Sequence, residues 1–528
     1  MRFPWLIVTI IVILLITMSS EIGAVTGDHS EFEILKQDFK TGPEVTDACL
    51  SCHTEAARQV HKTIHWTWVC PKSIDPILGK SVVINNFCIA LPSNESRCTS
   101  CHSGYGWRDS TFDFSSERNV DCLVCHDQTG TYEKFPTDAG HPAYEKKEFG
   151  GRIWYPPDLS YVAQNVGTPN RHNCGVCHFY GGGGEGVKHA DLDETLERPT
   201  RDLDVHMDRE GLNFSCIDCH TTKDHEISGR CYAVPAASER GAFPRTPDDK
   251  RITCESCHTK TPHRQAKIND HIDKVSCQAC HIPYAAKKRY SKFWWDWSKA
   301  GKFDENGDMI VEKDEHGNIT YHTMKGEFRW DRMTVPEYVW FNGSASNHLV
   351  SDLINDTTKP VRINRLLGDK DDPESRIWPT KVHRGKQVYD PINRTLIIPK
   401  LFGPKGSGAY WKDFDWVKSA QKGMDYVGLP FSGEVGFVET EMYWPITHMI
   451  SPAEDALRCQ DCHSREGRLA QLGGFYMPGR DAFEGLDFLG WGVVFLSVAG
   501  VLVHAGLRVV FSRKNDDDDE PDESEVES

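Results

Sequence analysis

Eight times along this 528-residue chain, two cysteines three positions apart are followed at once by a histidine. The sites are Cys49, Cys52 and His53; Cys98, Cys101 and His102; Cys122, Cys125 and His126; Cys174, Cys177 and His178; Cys216, Cys219 and His220; Cys254, Cys257 and His258; Cys277, Cys280 and His281; and Cys459, Cys462 and His463. Thiols at that spacing add to the two vinyl groups of one haem, and the adjacent imidazole becomes the proximal ligand of its iron. A single copy could be chance or half of a zinc site, but zinc does not require a histidine after every second cysteine. The eight motifs predict eight covalently bound haem c groups.

What each iron can do depends on its sixth position. A second protein ligand makes an electron carrier, whereas an open or displaceable position makes a reaction site. Sixteen histidines lie outside the motifs. His65, His189, His206, His225, His263, His271 and His448 have the local settings expected of distal ligands, with His61 and His172 as substitutes. His29, His141, His316, His322, His348 and His383 read as loop histidines. Seven distal imidazoles would leave one haem with a different ligand. Lys188 follows the glycine run Gly181 to Gly184 and adjoins His189. It is either a solvated loop lysine or a sixth ligand whose amine must be kept unprotonated. Three cysteines stand outside the motifs: Cys70, Cys88 and Cys231. Cys70 and Cys88 could form a disulfide in an oxidising compartment; alternatively Cys88 is a thiol or persulfide beside a reactive haem.

The elements that must position these groups are less regular. Seven motifs lie between residues 49 and 281, and the eighth begins 182 residues after the start of the seventh. The first stretch shows little helical or strand periodicity and is broken throughout by Gly, Pro, Asp and Asn. Short helices around the motifs, wrapped over haem faces, are expected. Residues 282–445 carry no motif but are rich in aromatics, among them Trp294, Trp295, Trp297, Trp330, Trp340, Tyr410, Trp411 and Trp416. These read first as a conventional packed core and second as a belt over haem edges. The expected fold is mainly α with extensive loops: one compact multihaem cytochrome c domain over 25–480 with a haem-filled core, plus one C-terminal transmembrane helix.

Both ends carry apolar runs. Arg2 and the run Pro4 to Met18 resemble a secretory signal, assigned to 1–24. Residues 486–511 are long enough to span a bilayer. Arg513 and Lys514 follow that run and place its end in the cytoplasm. His504 within it could contact a quinone, ligate a haem b with a membrane partner, or sit at the interface beside Arg508. Residues 512–528 form an acidic tail, expected to be disordered. The tail holds nine acidic residues of a chain whose net charge is −17. That balance argues against a nucleic-acid partner. An exported protein at the periplasmic face of the inner membrane is expected.

Longer strings carry a family resemblance. INNFCIALPSNESRCTSCHSGYGW (84–107), VDCLVCHDQTGTY (120–132), CGVCHFYGGGGEGVKHADLD (174–193), GLNFSCIDCH (211–220), DKVSCQACHIP (273–283), FWWDWSKAG (293–301) and HRGKQVYD (383–390) resemble the octahaem tetrathionate reductase family over about residues 45–475. The resemblance implies seven haems held by two histidines and one, at Cys98, Cys101 and His102, whose distal ligand is Lys188. It also implies that Cys88 lies near that pocket. A terminal reductase is then expected, acting on a small inorganic sulfur or nitrogen oxyanion: tetrathionate first, nitrite or hydroxylamine next. No Cys-x-x-Cys-Lys motif of the pentahaem nitrite reductase kind occurs. A pure electron conduit between quinol and another reductase is the rival reading. Other c-type cytochromes, and a cytochrome b or quinol-oxidising membrane subunit, are the partners expected.

Overall fold

The computed structural model describes residues 27–70, 78–229, 252–481 and 483–517. The signal segment 1–24, Cys231 and the tail beyond residue 517 lie outside the described residues. By internal contacts the chain divides into two units, one ending at Ala456 and one beginning at Leu457. The eighth motif falls in the second.

In the first unit the attachment motifs sit on single helical turns, such as Leu123–His126, Cys216–Cys219 and Cys277–His281. One turn is what the chemistry needs, since residues i and i+3 share a helix face and both thiols then point the same way. Longer helices are few: α1 (Gly42–Leu50), α2 (Arg171–His178, which contains the fourth motif) and α3 (Trp416–Val427).

The motif-free stretch corrects the expectation of a mainly α fold. It builds a nine-stranded sheet from β1 (Ser291–Asp296), β2 (Val311–Lys313), β3 (Ile319–His322), β4 (Gly326–Asp331), β5 (Glu337–Phe341), β6 (Val361–Arg362), β7 (Arg376–Asp390), β8 (Thr395–Leu396) and β9 (Gly436–Pro445). The order is β6-β9-β7-β1-β4-β3-β2, with β5 and β8 also pairing to β7. The fifteen-residue β7 is the spine: it runs antiparallel to β9 from Thr380 opposite Pro445 to Tyr389 opposite Gly436, and parallel to β1 at Arg384 opposite Trp294. Polar and apolar residues alike are buried along it, including Lys381, His383 and Gln387. The alternation that announces a strand is therefore absent from its sequence. Trp295, Trp297 and Tyr410 are core residues here, as the packed-core reading of the aromatics expected.

One buried network sets two motifs against each other. Asp121 is almost wholly enclosed and accepts from the Tyr105 hydroxyl (2.7 Å), the Tyr132 hydroxyl (3.1 Å) and the Val124 amide (3.1 Å). Its other partner is the Lys134 ammonium at 3.0 Å, which also donates to the His102 carbonyl. Asp121 immediately precedes Cys122, so one carboxylate ties the third motif to the second. The close approach also needs Gly104, where a Cβ would lie 2.5 Å from the Trp66 ring.

In the second unit, Arg480 donates to the carbonyls of Leu469 and Phe475 and pairs with Asp481. The long helix α4 (Glu484–Asp517) follows. Its segment Gly485–Ser512 contains an 18-residue window of mean hydropathy 2.1 and is the one helix among the described residues long and apolar enough to cross a membrane. The helix runs six residues into the segment expected to be a disordered tail.

Replacing Asp121 by Ala leaves the Lys134 ammonium buried without its counter-charge. The Asp121→Ala holoprotein should lose about 3–5 kcal/mol of stability, measured by denaturant unfolding, whereas Glu117→Ala at the surface should lose less than about 1 kcal/mol.

Candidate functional site

An iron bound by two imidazole nitrogens at about 2 Å each holds the ring centroids roughly 6 Å apart. Six motif histidines of the first unit face a second imidazole at 6.1–6.4 Å: His53 with His29, His126 with His225, His178 with His65, His220 with His448, His258 with His206, and His281 with His263. Three pairs are nearly parallel, at 15–21°, and three steeply inclined, at 67–74°. The residues therefore fit six haems with two axial histidines each. Among the described residues no group of three His, Cys, Asp or Glu side chains is placed to hold a metal ion.

The ring orientations suit ligation too. Nδ1–H of His126 donates to the Gly167 carbonyl (2.8 Å), that of His220 to Ser228 (2.8 Å), and that of His225 to the Gln59 amide oxygen (2.8 Å). In the second unit Nδ1–H of His463 donates to the Pro478 carbonyl (2.9 Å). Each such bond fixes the tautomer that leaves Nε2 as the ligating atom. Burial pushes the His178 pKa down to about 3, keeping the imidazole neutral as ligation requires.

Two assignments change. His29, expected to be a loop histidine, stands across from His53. His189, expected to be a distal ligand, lies against the Trp444 ring (5.6 Å) and 4.0 Å from Asp191 instead. Asp191 is wholly buried and accepts from the Thr447 amide (2.8 Å), the His448 amide (3.1 Å) and His448 Nδ1 (3.3 Å). The His220–His448 pair is thus the one whose distal imidazole donates to a carboxylate. The substitutes His61 and His172 are engaged elsewhere, by Trp66 stacking and by Glu197. Nδ1–H of His271 donates to the Lys267 carbonyl at 2.7 Å.

His102 is different. It is fully buried among Trp66, Trp68, Trp107, Phe112 and Phe114, with ring centroids at 5.0–6.3 Å, and among the described residues no imidazole faces it. Its Nε2 donates to the Trp66 carbonyl (2.7 Å), and its Nδ1 has no partner among the described residues. Burial holds its pKa down at about 3.

The motif cysteines show how the sites adjoin. Cys49 lies within hydrogen-bonding reach of Cys122, Cys101 of Cys177, Cys174 of Cys216, and Cys254 of Cys277. Cys125 neighbours Cys174, and Cys219 neighbours Cys257. The order of contact is first, third, fourth, fifth, sixth and seventh motif, with the second branching from the fourth.

Around that branch lie the other predicted residues. Lys188 is half-buried, with Nζ 4.5 Å from the Trp444 ring. A Cβ at Gly182 would meet the Lys188 Cβ at 3.1 Å and the Phe87 ring at 3.2 Å, and one at Gly183 would meet the Cys88 sulfur at 3.0 Å. The glycine run thus lets backbone lie flat against these side chains. No disulfide joins Cys88 to Cys70. Cys88 is close enough to Cys98 to contribute, after burial, to pushing that thiol up to about 12. Sequence reasoning missed the basic side chains on this side of the sheet: Lys292, Lys325, Lys381 and His383. Their only signal was the matched string around His383.

Comparisons with known proteins agree with this arrangement. A family model described as "Cytochrome c bacterial" matches residues 292–466. An uncharacterized protein of Archaeoglobus fulgidus is 23% identical over 272 residues, covering 42% of this chain and 90% of its own length. The crystal structure of octaheme cytochrome c from Shewanella oneidensis is 43% identical, covers 85% of this chain and 97% of its own, and superposes with a TM-score of 0.75.

Two variants test the reassigned histidines. His29→Ala should turn one low-spin ferric haem high-spin in EPR, while His189→Ala should leave the low-spin count intact. A third tests Asp191: in Asp191→Asn the distal imidazole loses anionic character, so the haem at Cys216 and Cys219 should rise in potential. The expected shift is on the order of 50 mV in a spectroelectrochemical titration, near one tenfold step for a one-electron couple.

Proposed function

Because the chain belongs to the octahaem c-type cytochromes, we propose that it is a terminal reductase whose reaction centre is the haem attached at Cys98 and Cys101. The observation that carries this reading is His102: six other motif histidines of the first unit face a second imidazole, and it faces none. His102, by its place in the motif, would be the proximal ligand once its Nε2 gives up the Trp66 carbonyl, and Lys188 would be a displaceable distal one. Haem iron there supplies one-electron transfer and a coordination position that substrate can approach.

The chain's own residues do the rest. The aromatic box around His102 keeps water away from the proximal side. As an ammonium, Lys188 would stabilise negative charge building on a leaving group. Cys88 lies on the same side as the glycine run and presents a thiol to a sulfur substrate. Tetrathionate is the substrate that fits best: two electrons break its central sulfur–sulfur bond and release two thiosulfate ions, with no proton required. Nitrite and hydroxylamine are the alternatives at the same centre. The contact order of the motifs makes the second site a terminus fed from the fourth, as suits a sink for electrons.

The protein is exported, and its helix Gly485–Ser512 anchors it with the haem domain at the periplasmic face. Electrons arrive from other c-type cytochromes or from a quinol-oxidising membrane subunit.

Lys188→Ala should replace one low-spin ferric EPR signal by a high-spin one. It should also change the rate of tetrathionate reduction at least tenfold. Identical spectra and rates in the two proteins would make the chain an electron conduit.

A further inference from the structure

Buried charge needs a partner, and one lysine here has none among the described residues. Lys292, on β1, is only 5% exposed. Its Nζ lies 3.4 Å from the centre of the Phe328 ring, 4.2 Å from Trp295 and 4.8 Å from Trp330. Among the described residues it meets no carboxylate and no hydrogen-bond acceptor. Ring faces offset only part of the cost of burying an ammonium. Burial first, then the like charges of the neighbouring Lys325 and Lys381, hold its pKa well below the ordinary lysine value, and Cys88 is near enough to interact with it.

Other unmatched groups gather at the same place. Lys325 lies 5.6 Å from the Trp411 ring and is also influenced by Cys88. The indole N–H groups of Trp411 and Trp444 are buried without acceptors. His383, wholly enclosed, has both ring nitrogens unpartnered and packs 5.1 Å from Phe87, the residue before Cys88. Lys381 is a structural pin rather than part of this set, since it donates to the Val187 carbonyl (2.8 Å) and the Ser291 hydroxyl (2.6 Å). Gly183, which lies against the Cys88 sulfur, is exposed.

We propose that Lys292 and Lys325, flanking Cys88 and backed by the Trp411 and Trp444 indoles, form a subsite for one anionic end of the substrate. The inference rests on the reading of the His102 haem as the reaction centre and names what that centre selects: a small oxyanion, with a sulfonate as the best match. A dianion such as tetrathionate places one sulfonate between the two ammonium groups and leaves its sulfur–sulfur bond towards the thiol and the haem. Oriented donors in a dry site hold such a charge far better than water-exposed lysines do. The site discriminates against a neutral substrate, which cannot satisfy the buried ammonium.

The test uses haem-loaded, full-length protein and two variants, Lys292→Gln and Lys325→Gln. Lys325→Arg is the charge-conserving partner, and Lys422→Gln, on α3, the surface control. Thiosulfate binding is followed by calorimetry, and kcat and KM are measured with tetrathionate and with hydroxylamine, which is neutral near pH 7. The expected result is at least tenfold weaker thiosulfate binding in each Gln variant and a tenfold fall in the kcat/KM ratio of tetrathionate to hydroxylamine, carried by KM. Lys325→Arg should recover most of it. Should Lys292→Gln not fold, Lys325→Gln carries the same test alone. Thiosulfate binding equal to wild type in the folded Gln variants overturns the subsite. So does an unchanged substrate ratio with a shifted potential of the haem at Cys98, which would make a haem propionate the anion these lysines hold. Charge-dependent thiosulfate binding without turnover of any of the substrates would instead sink the reductase reading and leave the anion subsite standing.

Discussion

The path of this chain is dictated by the pairing of imidazoles about 6 Å apart. One member of each pair is fixed by a covalent motif, and the other comes from wherever the chain can supply it. His65 reaches forward to His178, His225 back to His126 and His448 back to His220. Such cross-ties staple segments that share little secondary structure. They explain how a region of one-turn helices and loops holds a defined shape where an ordinary core would be too thin.

The protein adds two devices to the staples. One is the buried polar network at Asp121, which locks the second and third motifs together through Lys134, Tyr105 and Tyr132. The other is the nine-stranded sheet, whose spine β7 carries Lys381 and His383 into the interior. A rigid sheet is a good wall for a reaction site, because its side chains are held in register by ladder hydrogen bonds on both sides. The basic and aromatic side chains near Cys88 come from β1, β4 and β9 or from the loops joining strands, while the thiol and Lys188 come from loops among the motifs. The proposed subsite is a seam between the two kinds of architecture.

In the proposed reading, that seam also separates electron transfer from chemistry. Where a motif histidine faces a second imidazole, a haem held by both would be saturated and would conduct. Where His102 faces aromatic rings instead, the sixth position would fall to a weaker ligand. The difference would lie in one missing imidazole, with the glycine run before Lys188 giving the backbone room to bring an amine there.

The attachment motifs can be read directly from the sequence, because the two cysteines and the histidine of each stand at a fixed local spacing. The six imidazoles that face a motif histidine, at positions 65, 206, 225, 263 and 448, together with 29, were legible only in part. His29 was passed over and His189 preferred, since a distal ligand is recruited from any sequence distance and its neighbours carry no signal. The sheet was hidden because polar residues buried along β7 erased the alternation that marks a strand. The basic groups around Cys88 were invisible for a related reason: lysines far apart in sequence read as surface charge until the fold buries them together. Covalent chemistry at fixed spacing is thus written in the sequence, whereas which imidazole meets which, and which ammonium groups lose their water, was decided only by tertiary packing.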